Sequence, residues 1–309
     1  MRQLERSLVR HLPGSAIKRF YIRLSRGVSR RLAIGNQIEV RMPDGLRMCI
    51  EKAQFIDSYI YFFSVWEPII TELFRRLLRP GDVVLDAGAN IGYYTLLAAG
   101  RVGPRGRVHA IEAHPGTYEK LRKNVGLSSL SNVTLHPFAA TDTFGSMALS
   151  TNFGHDPGAA RLMNADCTTE CITVRTVPLD SLIPPEDIRR TKLIKIDVEG
   201  AELLALRGMR KTLEGLAPGA ALVLEVTPSL GHYHADALNE VLNVRMSAGD
   251  KAYQLANDYN IEVYLESFRL SPIIELREVD LSRVESQTDV LITSPATAER
   301  VADRIIPID

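Results

Sequence analysis

Cysteine is scarce in this chain. Three in 309 residues, Cys49, Cys167 and Cys171, are too few for a disulfide framework, and an odd number cannot pair completely. Cys167 and Cys171 do not form a C-x-x-C, and no second pair completes a zinc site. Free thiols in a reducing compartment are the expectation. No apolar run reaches the roughly eighteen residues of a membrane-spanning helix. Net charge is also missing, with 37 Lys and Arg against 37 Asp and Glu. That balance implies no general affinity for nucleic acid. The basic N-terminus lacks the apolar stretch of a secretory signal, so a cytoplasmic location is expected. What the chain does have is ordinary for a globular protein: 45% hydrophobic and 24% charged residues. Its length fits one large domain or two small ones.

The charges are unevenly placed. Residues 1–31 hold nine Lys or Arg and one acid, Glu5, which leaves twenty-eight basic against thirty-six acidic residues elsewhere. Within that segment Ile17, Phe20, Tyr21, Leu24 and Val28 recur at helical spacing. Two readings fit. The favoured one packs this stripe on the core and leaves a solvated basic face. The other lays a basic amphipathic helix on an anionic membrane.

Residues 37–50 alternate around Pro43-Asp44-Gly45, the pattern of a β-hairpin. Residues 66–79 read as a helix with Ile69, Ile70, Leu73 and Leu77 on one face. Strands and helices then alternate: strands at 82–86, 107–112, 132–136, 192–197 and 221–226, helices at 92–100, 115–125 and 201–213. Apolar strands alternating with helices predict an α/β fold whose parallel sheet is covered on both faces. Segments 145–150 and 172–176 suggest an extra hairpin, and 261–266 and 288–294 the final strands.

In such a sheet, ligands bind beyond the carboxyl ends of the strands. Those ends carry Asp86, Glu112, Asp197 and Glu225. The first strand runs into LDAGANIGYYT, a glycine turn that lets a ligand approach backbone. It is not G-x-G-x-x-G, because Asn90 holds the second glycine position and no third glycine follows. No P-loop lysine follows either, and Asp86 would repel a pyrophosphate. Glu112, twenty-four residues past Gly88, lies near the offset of about 20 at which an acid meets ribose hydroxyls. A ribose with a cationic, unphosphorylated tail describes S-adenosylmethionine.

Three stretches, VVLDAGANIGYYT, VHAIEAHPGTYEKLRKNV and LIKIDVEGAELLALRGM, resemble the FkbM-type methyltransferases of the class I S-adenosylmethionine-dependent superfamily. The resemblance runs from about Trp66 to Pro228 and includes Asp180-Ser181-Leu182. It implies a Rossmann-like, doubly wound, seven-stranded sheet, mostly parallel with an antiparallel last strand. Residues 66–309 would form that core; residues 1–65, outside the resemblance, read from their own pattern as a basic-helix and β-hairpin cap. It also implies methylation of a hydroxyl on a small molecule such as a natural product, sugar or glycolipid.

Carried over by position, Gly88, Ala89, Asn90 and Gly92 would wrap the methionine part of the cofactor, with Asp86 acting through the turn. Glu112 would hold the ribose, with Ala113 beside it. Ala139 and Ala140 would border the adenine, where Asp142 could supply an acid otherwise missing. Glu67 would close over the cofactor. For catalysis Asp197 ranks first, and Lys195, Glu199, Glu225, His232 and His234 are the other candidates for the base or its neighbours. His232 and His234 could join Asp197 on a metal, but one H-x-H is a weak signal, and no metal is expected. A nicotinamide-dependent oxidoreductase and a non-catalytic cofactor-binding protein are the alternatives.

Overall fold

The computed structural model describes residues 7–9, 11–32, 37–42, 44–150, 161–163, 170–228, 235–257, 263–264 and 271–308. The histidines His232 and His234 fall outside them. The chain begins with α1 (Ser15–Leu32), the hairpin strands β1 (Ile38–Arg41) and β2 (Arg47–Ile50), α2 (Phe55–Phe63) and α3 (Pro68–Leu77). The central alternation follows: β3 (Val83–Ala87), α4 (Tyr93–Val102), β4 (Arg107–Ile111), α5 (Pro115–Leu127) and β5 (Val133–His136). Strands β6 (Ala139–Thr141), β7 (Gly145–Ser150), β8 (Arg161–Met163) and β9 (Cys171–Pro178) form a separate sheet in the order 6-9-7-8. Then come α6 (Pro185–Ile188), β10 (Thr191–Ile196), α7 (Glu202–Arg207), α8 (Arg210–Gly215) and β11 (Ala221–Val226). The chain closes with α9 (Ala235–Ser247), β12 (Lys251–Leu255), β13 (Glu275–Glu278), β14 (Thr288–Thr293), α10 (Pro295–Val301) and β15 (Arg304–Ile306).

The main sheet runs 15-13-12-14-11-10-3-4-5. Strand β3 is buried along its whole length, so it reads as an apolar run interrupted only by Asp86. Alternate residues face opposite layers. Val84, Leu193 and Val223 pack with α3, α4 and the N-terminal segment. Val83, Leu85, Ile194 and Leu222 pack with α7, α8 and α9. Each such side chain contributes about 1.5–3 kcal/mol on burial.

The sheet has nine strands rather than the expected seven. The seven from β5 to β12 form one block, with β14 antiparallel to both neighbours, β11 and β12. Strands β13 and β15 extend it because the chain after residue 271 returns to pair with the otherwise open edge of β12. The run at 261–266, expected as a strand, is helical at its described positions Val263 and Tyr264. The tyrosine is drawn into an aromatic cluster, 4.8 Å from Tyr59 and 6.3 Å from Trp66 between ring centroids. The single helix expected at 201–213 is two, α7 and α8. A Cβ on Gly208 would lie 1.8 Å from the Thr141 carbonyl oxygen, so the backbone passes too close there for any side chain. Asp180 caps the second piece, its carboxylate accepting from Lys211 N and Thr212 N at 2.9 and 2.8 Å.

Two further expectations change. Cys171 is disulfide-bonded and Cys49 is free; counting cysteines excludes a framework but not one bridge. The apolar stripe of α1 does not face the core. Among its described positions Ile22 and Ser29 are buried and Tyr21 is half-buried against the core, while Ile17, Phe20, Leu24 and Val28 are exposed.

Candidate active site

A cleft of about 220 Å³ opens at the carboxyl ends of β3, β4, β10 and β11. Its floor is the LDAGANIG turn. Gly88 N and Ala89 N both donate to the Ile111 carbonyl, at 3.0 and 2.9 Å, folding the turn across the end of β4. Gly88 has φ +83°, and a Cβ there would sit 1.7 Å from the Asp197 carbonyl oxygen. The two sequence motifs therefore touch through a gap that only glycine leaves open. Asn90 follows with φ +50°, a left-handed conformation asparagine tolerates. That is how it replaces the missing glycine.

Glu112 braces this turn. Its Oε2 accepts from Asn90 N at 2.9 Å and its Oε1 from His114 N at 2.8 Å. Each oxygen keeps acceptor capacity for a ligand hydroxyl. Burial raises its pKa from the usual carboxylate range to about 7.

The acids at the strand ends share one face of the sheet. Register pairs Lys195 with Asp86 and Glu225 with Asp289, and Asp197 lies two residues beyond Lys195. Lys195 is 3% exposed, and its Nζ donates to Asp197 Oδ2 at 2.6 Å. It also stands 5.0 Å over the Tyr94 ring. Burial opposes its charge, but Asp197, Glu67 and Asp86 more than offset that and raise its pKa. Lys195 is thus a fixed cation under the cleft, neither at the rim nor a base. For Asp197, burial pushes the pKa up, yet Lys195 and a hydrogen bond from Glu225 hold it below the usual range. Glu225 goes the other way: burial and the neighbouring Asp197 keep it protonated, and Gln287 Nε2 donates to its Oε1.

Glu67 sits at the opposite wall with φ +41°, just before α3. Its carboxylate accepts from Tyr94 Oη at 2.6 Å and Asn257 Nδ2 at 3.0 Å. The same Asn257 nitrogen bonds Asp289 at 2.8 Å, and Tyr264 Oη accepts from Glu67 N at 3.2 Å. Tyr94→Phe leaves this 5% exposed carboxylate one donor short. It should lower stability by about 1–3 kcal/mol, measured by urea unfolding. No loss would mean that water replaces the hydroxyl.

Ten of the residues picked from sequence line the cleft: Glu67, Gly88, Asn90, Glu112, Ala113, Ala139, Ala140, Asp197, Glu199 and Glu225. Ala89 and Gly92 are buried in the turn beneath it. Asp86 is also beneath, accepting from Thr95 Oγ1 at 2.6 Å with its Oδ1 unpartnered. Asp142 is exposed and outside the cleft, because β6 ends at Thr141. Phe138, read with Ala139 and Ala140 as a strand end, also lines the cleft; sequence reasoning missed the apolar walls Phe55, Ile56, Leu149 and Leu162, and the polar Gln287. It also missed the supporting Tyr94, Asn257 and Asp289. Tyr94 alone had a signal, two residues past the glycine turn.

The donor set discriminates between cofactors. Among the described residues, the cleft is lined by five acids, Glu67, Glu112, Asp197, Glu199 and Glu225, and by no Lys or Arg. A pyrophosphate would be repelled there. A ribose on Glu112, an adenine between Ile111, Ala113, Phe138 and Ala140, and a cationic sulfonium near the acids fit these side chains.

A family model for the methyltransferase FkbM domain matches residues 86–251. A hexuronic acid methyltransferase, AglP of Haloferax volcanii, is 27% identical over 148 residues, covering 47% of this chain and 58% of its own. The 31-O-demethyl-FK506 methyltransferase FkbM of Streptomyces tacrolimicus is 33% identical over 159 residues, 43% of this chain and 61% of its own. The chain thus matches about three-fifths of the length of either relative. Among solved structures, a methyltransferase FkbM from Methylobacillus flagellatus pairs at a TM-score of 0.40 and 18% identity, covering 75% of this chain and 52% of its own. The matched residues contain the glycine turn, Glu112, Lys195, Asp197 and Glu225, and the chain belongs to the FkbM methyltransferase family.

Proposed function

We propose that the protein transfers a methyl group from S-adenosylmethionine, the cofactor of its methyltransferase domain, to a hydroxyl oxygen of a small polar acceptor. The observation that carries this reading is Asp197, a carboxylate kept ionised by Lys195 and lining the cleft. Two relatives are named for acting on a hexuronic acid and on 31-O-demethyl-FK506, which supports a hydroxylated acceptor.

When bound, the cofactor supplies an electrophilic methyl on a sulfonium. Asp197 accepts a hydrogen bond from the acceptor hydroxyl and takes its proton as the oxygen gains the methyl, a contribution of about 10²–10⁴-fold for a positioned base. Lys195 keeps Asp197 ionised and fixes its rotamer. Protonated Glu225 donates to Asp197 and helps to hold its carboxylate in place. Glu112 binds the ribose hydroxyls, and Glu67 and Glu199 add negative potential. Phe55, Trp66 and Phe138 exclude water from the apolar side of the cleft. Residues 1–65 supply part of that wall as a cap.

Incubation with cofactor labelled on its methyl and a panel of hydroxylated metabolites should give an acceptor one methylene heavier. If calorimetry finds no binding of S-adenosylmethionine or S-adenosylhomocysteine, the reading fails. Thermal shifts with nicotinamide dinucleotides separate the oxidoreductase alternative, which the acidic cleft disfavours.

Glu112 makes this binding pH-dependent. Its raised pKa, about 7, means that burial favours the protonated acid. In the free protein it therefore subtracts stability as pH climbs from the unfolded carboxylate value towards 7. The ionised form is the stronger acceptor, so affinity for S-adenosylhomocysteine should rise as pH passes through about 7. Glu112→Gln should flatten that rise and weaken binding about tenfold by calorimetry. An unchanged slope would remove Glu112 from the ribose site.

A further inference from the structure

Helix α1 carries an apolar stripe that the fold leaves open. Ile17, Phe20, Leu24 and Val28 are 49, 67, 52 and 47% exposed. At roughly 100° per residue they fall within an arc of about 80°. Ile22 and Ser29, the buried positions, lie on the far side of the wheel, so the core cannot reach the stripe. Single exposed apolar residues are common; four large ones aligned on one helix are not a solvated face.

The surrounding charge selects the occupant. The helix sequence contains Lys18, Arg19, Arg23, Arg26, Arg30 and Arg31 and no acid, and residues 6–38 contain none at all. Arg23 and Arg31 are exposed; on the wheel Arg31 falls within the arc of the stripe and Arg23 about 60° beyond its edge. Apolar side chains bordered by arginine, on a helix too polar to cross a bilayer, match a helix lying in a lipid interface. We propose that α1 seats the protein on an anionic lipid surface, with Ile17, Phe20, Leu24 and Val28 in the acyl region and Arg23 and Arg31 among the headgroups. Residues 32–309 have a net charge of −8, so the attraction to an anionic surface is concentrated in the N-terminal segment.

The helix also adjoins the cleft. Arg26 stacks on the Phe55 ring at 5.2 Å, and Tyr21 meets Phe62 edge-on at 6.4 Å. Phe55 and Ile56 line the cleft, so lipid docking brings one of its walls close to the membrane surface.

Co-sedimentation of the full chain with vesicles tests this. At low salt the protein should pellet with phosphatidylcholine–phosphatidylglycerol vesicles, and not with phosphatidylcholine alone. Raising the salt should release it, because headgroup attraction is screened. The double variant F20E/L24E should lower the pelleted fraction about tenfold or more, while calorimetric binding of S-adenosylhomocysteine shows that the fold is intact. Absence of pelleting with the anionic vesicles overturns the proposal, as does a double variant that pellets like the parent. Sedimentation velocity adds a third reading. A dimer that F20E/L24E dissociates, without vesicle binding, would mean that a second copy covers the stripe, and would also overturn it.

Discussion

Lys195→Met should destabilise the protein by about 3 kcal/mol, the lower end of the range for removing one partner of a buried ion pair. The lower end applies because the Asp197 side chain is 32% exposed to the cleft and solvent screens part of the charge. The same substitution should move the acid limb of the pH–rate profile towards neutrality. The sign follows from Asp197. Its depressed pKa contributes stability that is present above the unfolded carboxylate value and lost as pH falls through the folded value. Without the ammonium, only the hydrogen bond from Glu225 opposes burial, and that pKa rises. The proton acceptor is then protonated over part of the working range, and the variant's rate should climb with pH where the parent's is flat. Asp197→Asn should lower kcat by about 10²–10⁴-fold at every pH while leaving S-adenosylhomocysteine binding within a few-fold. Urea unfolding and single-turnover rates across pH check both variants. An acid limb that stays put in Lys195→Met would mean that the proton goes elsewhere.

Gly88→Ala should be the most damaging single-methyl change. The new carbon would meet the Asp197 carbonyl oxygen at 1.7 Å, and neither backbone segment can yield. Asp197 N is bonded to the Ala87 carbonyl at 3.0 Å, and Gly88 N to the Ile111 carbonyl at 3.0 Å. A loss above about 4 kcal/mol is expected, a size reserved for a forced clash or strain of this kind. Gly81→Ala is the control, since Gly81 shares a positive φ, +97°, with nothing within 4 Å of its Cβ position. It should cost only the backbone strain, about 1–3 kcal/mol. Chemical denaturation compares them, with soluble yield as the readout should the Gly88 variant fail to fold. Losses of similar size in both would show that the turn relaxes away from Asp197.

The local features of the chain were legible in its sequence. Strands β3, β4, β10 and β11 were readable to within a residue or so, because a fully buried parallel strand must be an apolar run. The cofactor chemistry was readable too. The turn and the acid after β4 are each continuous stretches, so their spacing survives folding. What failed was non-local. Asp289 carries no signal of its own; it reaches Glu225 because β14 runs antiparallel between β11 and β12. Asn257 acquires its role only by bridging Glu67 and Asp289. Tyr264 looked like part of a strand until its ring was needed against Tyr59 and Trp66.

Helix α1 marks the same division. Periodicity alone determined that Ile17, Phe20, Leu24 and Val28 share a face, since that follows from 3.6 residues per turn. Which way the face points depends on what the rest of the chain packs beneath it, and Ile22 holds that place instead. The sequence by itself determined the fold class, the glycine turn after β3 and the list of acids at the strand ends. Only the tertiary structure decided which of those acids is ionised. That depends on a buried lysine, its distance to each carboxylate, and a neighbour strand that no local pattern can specify.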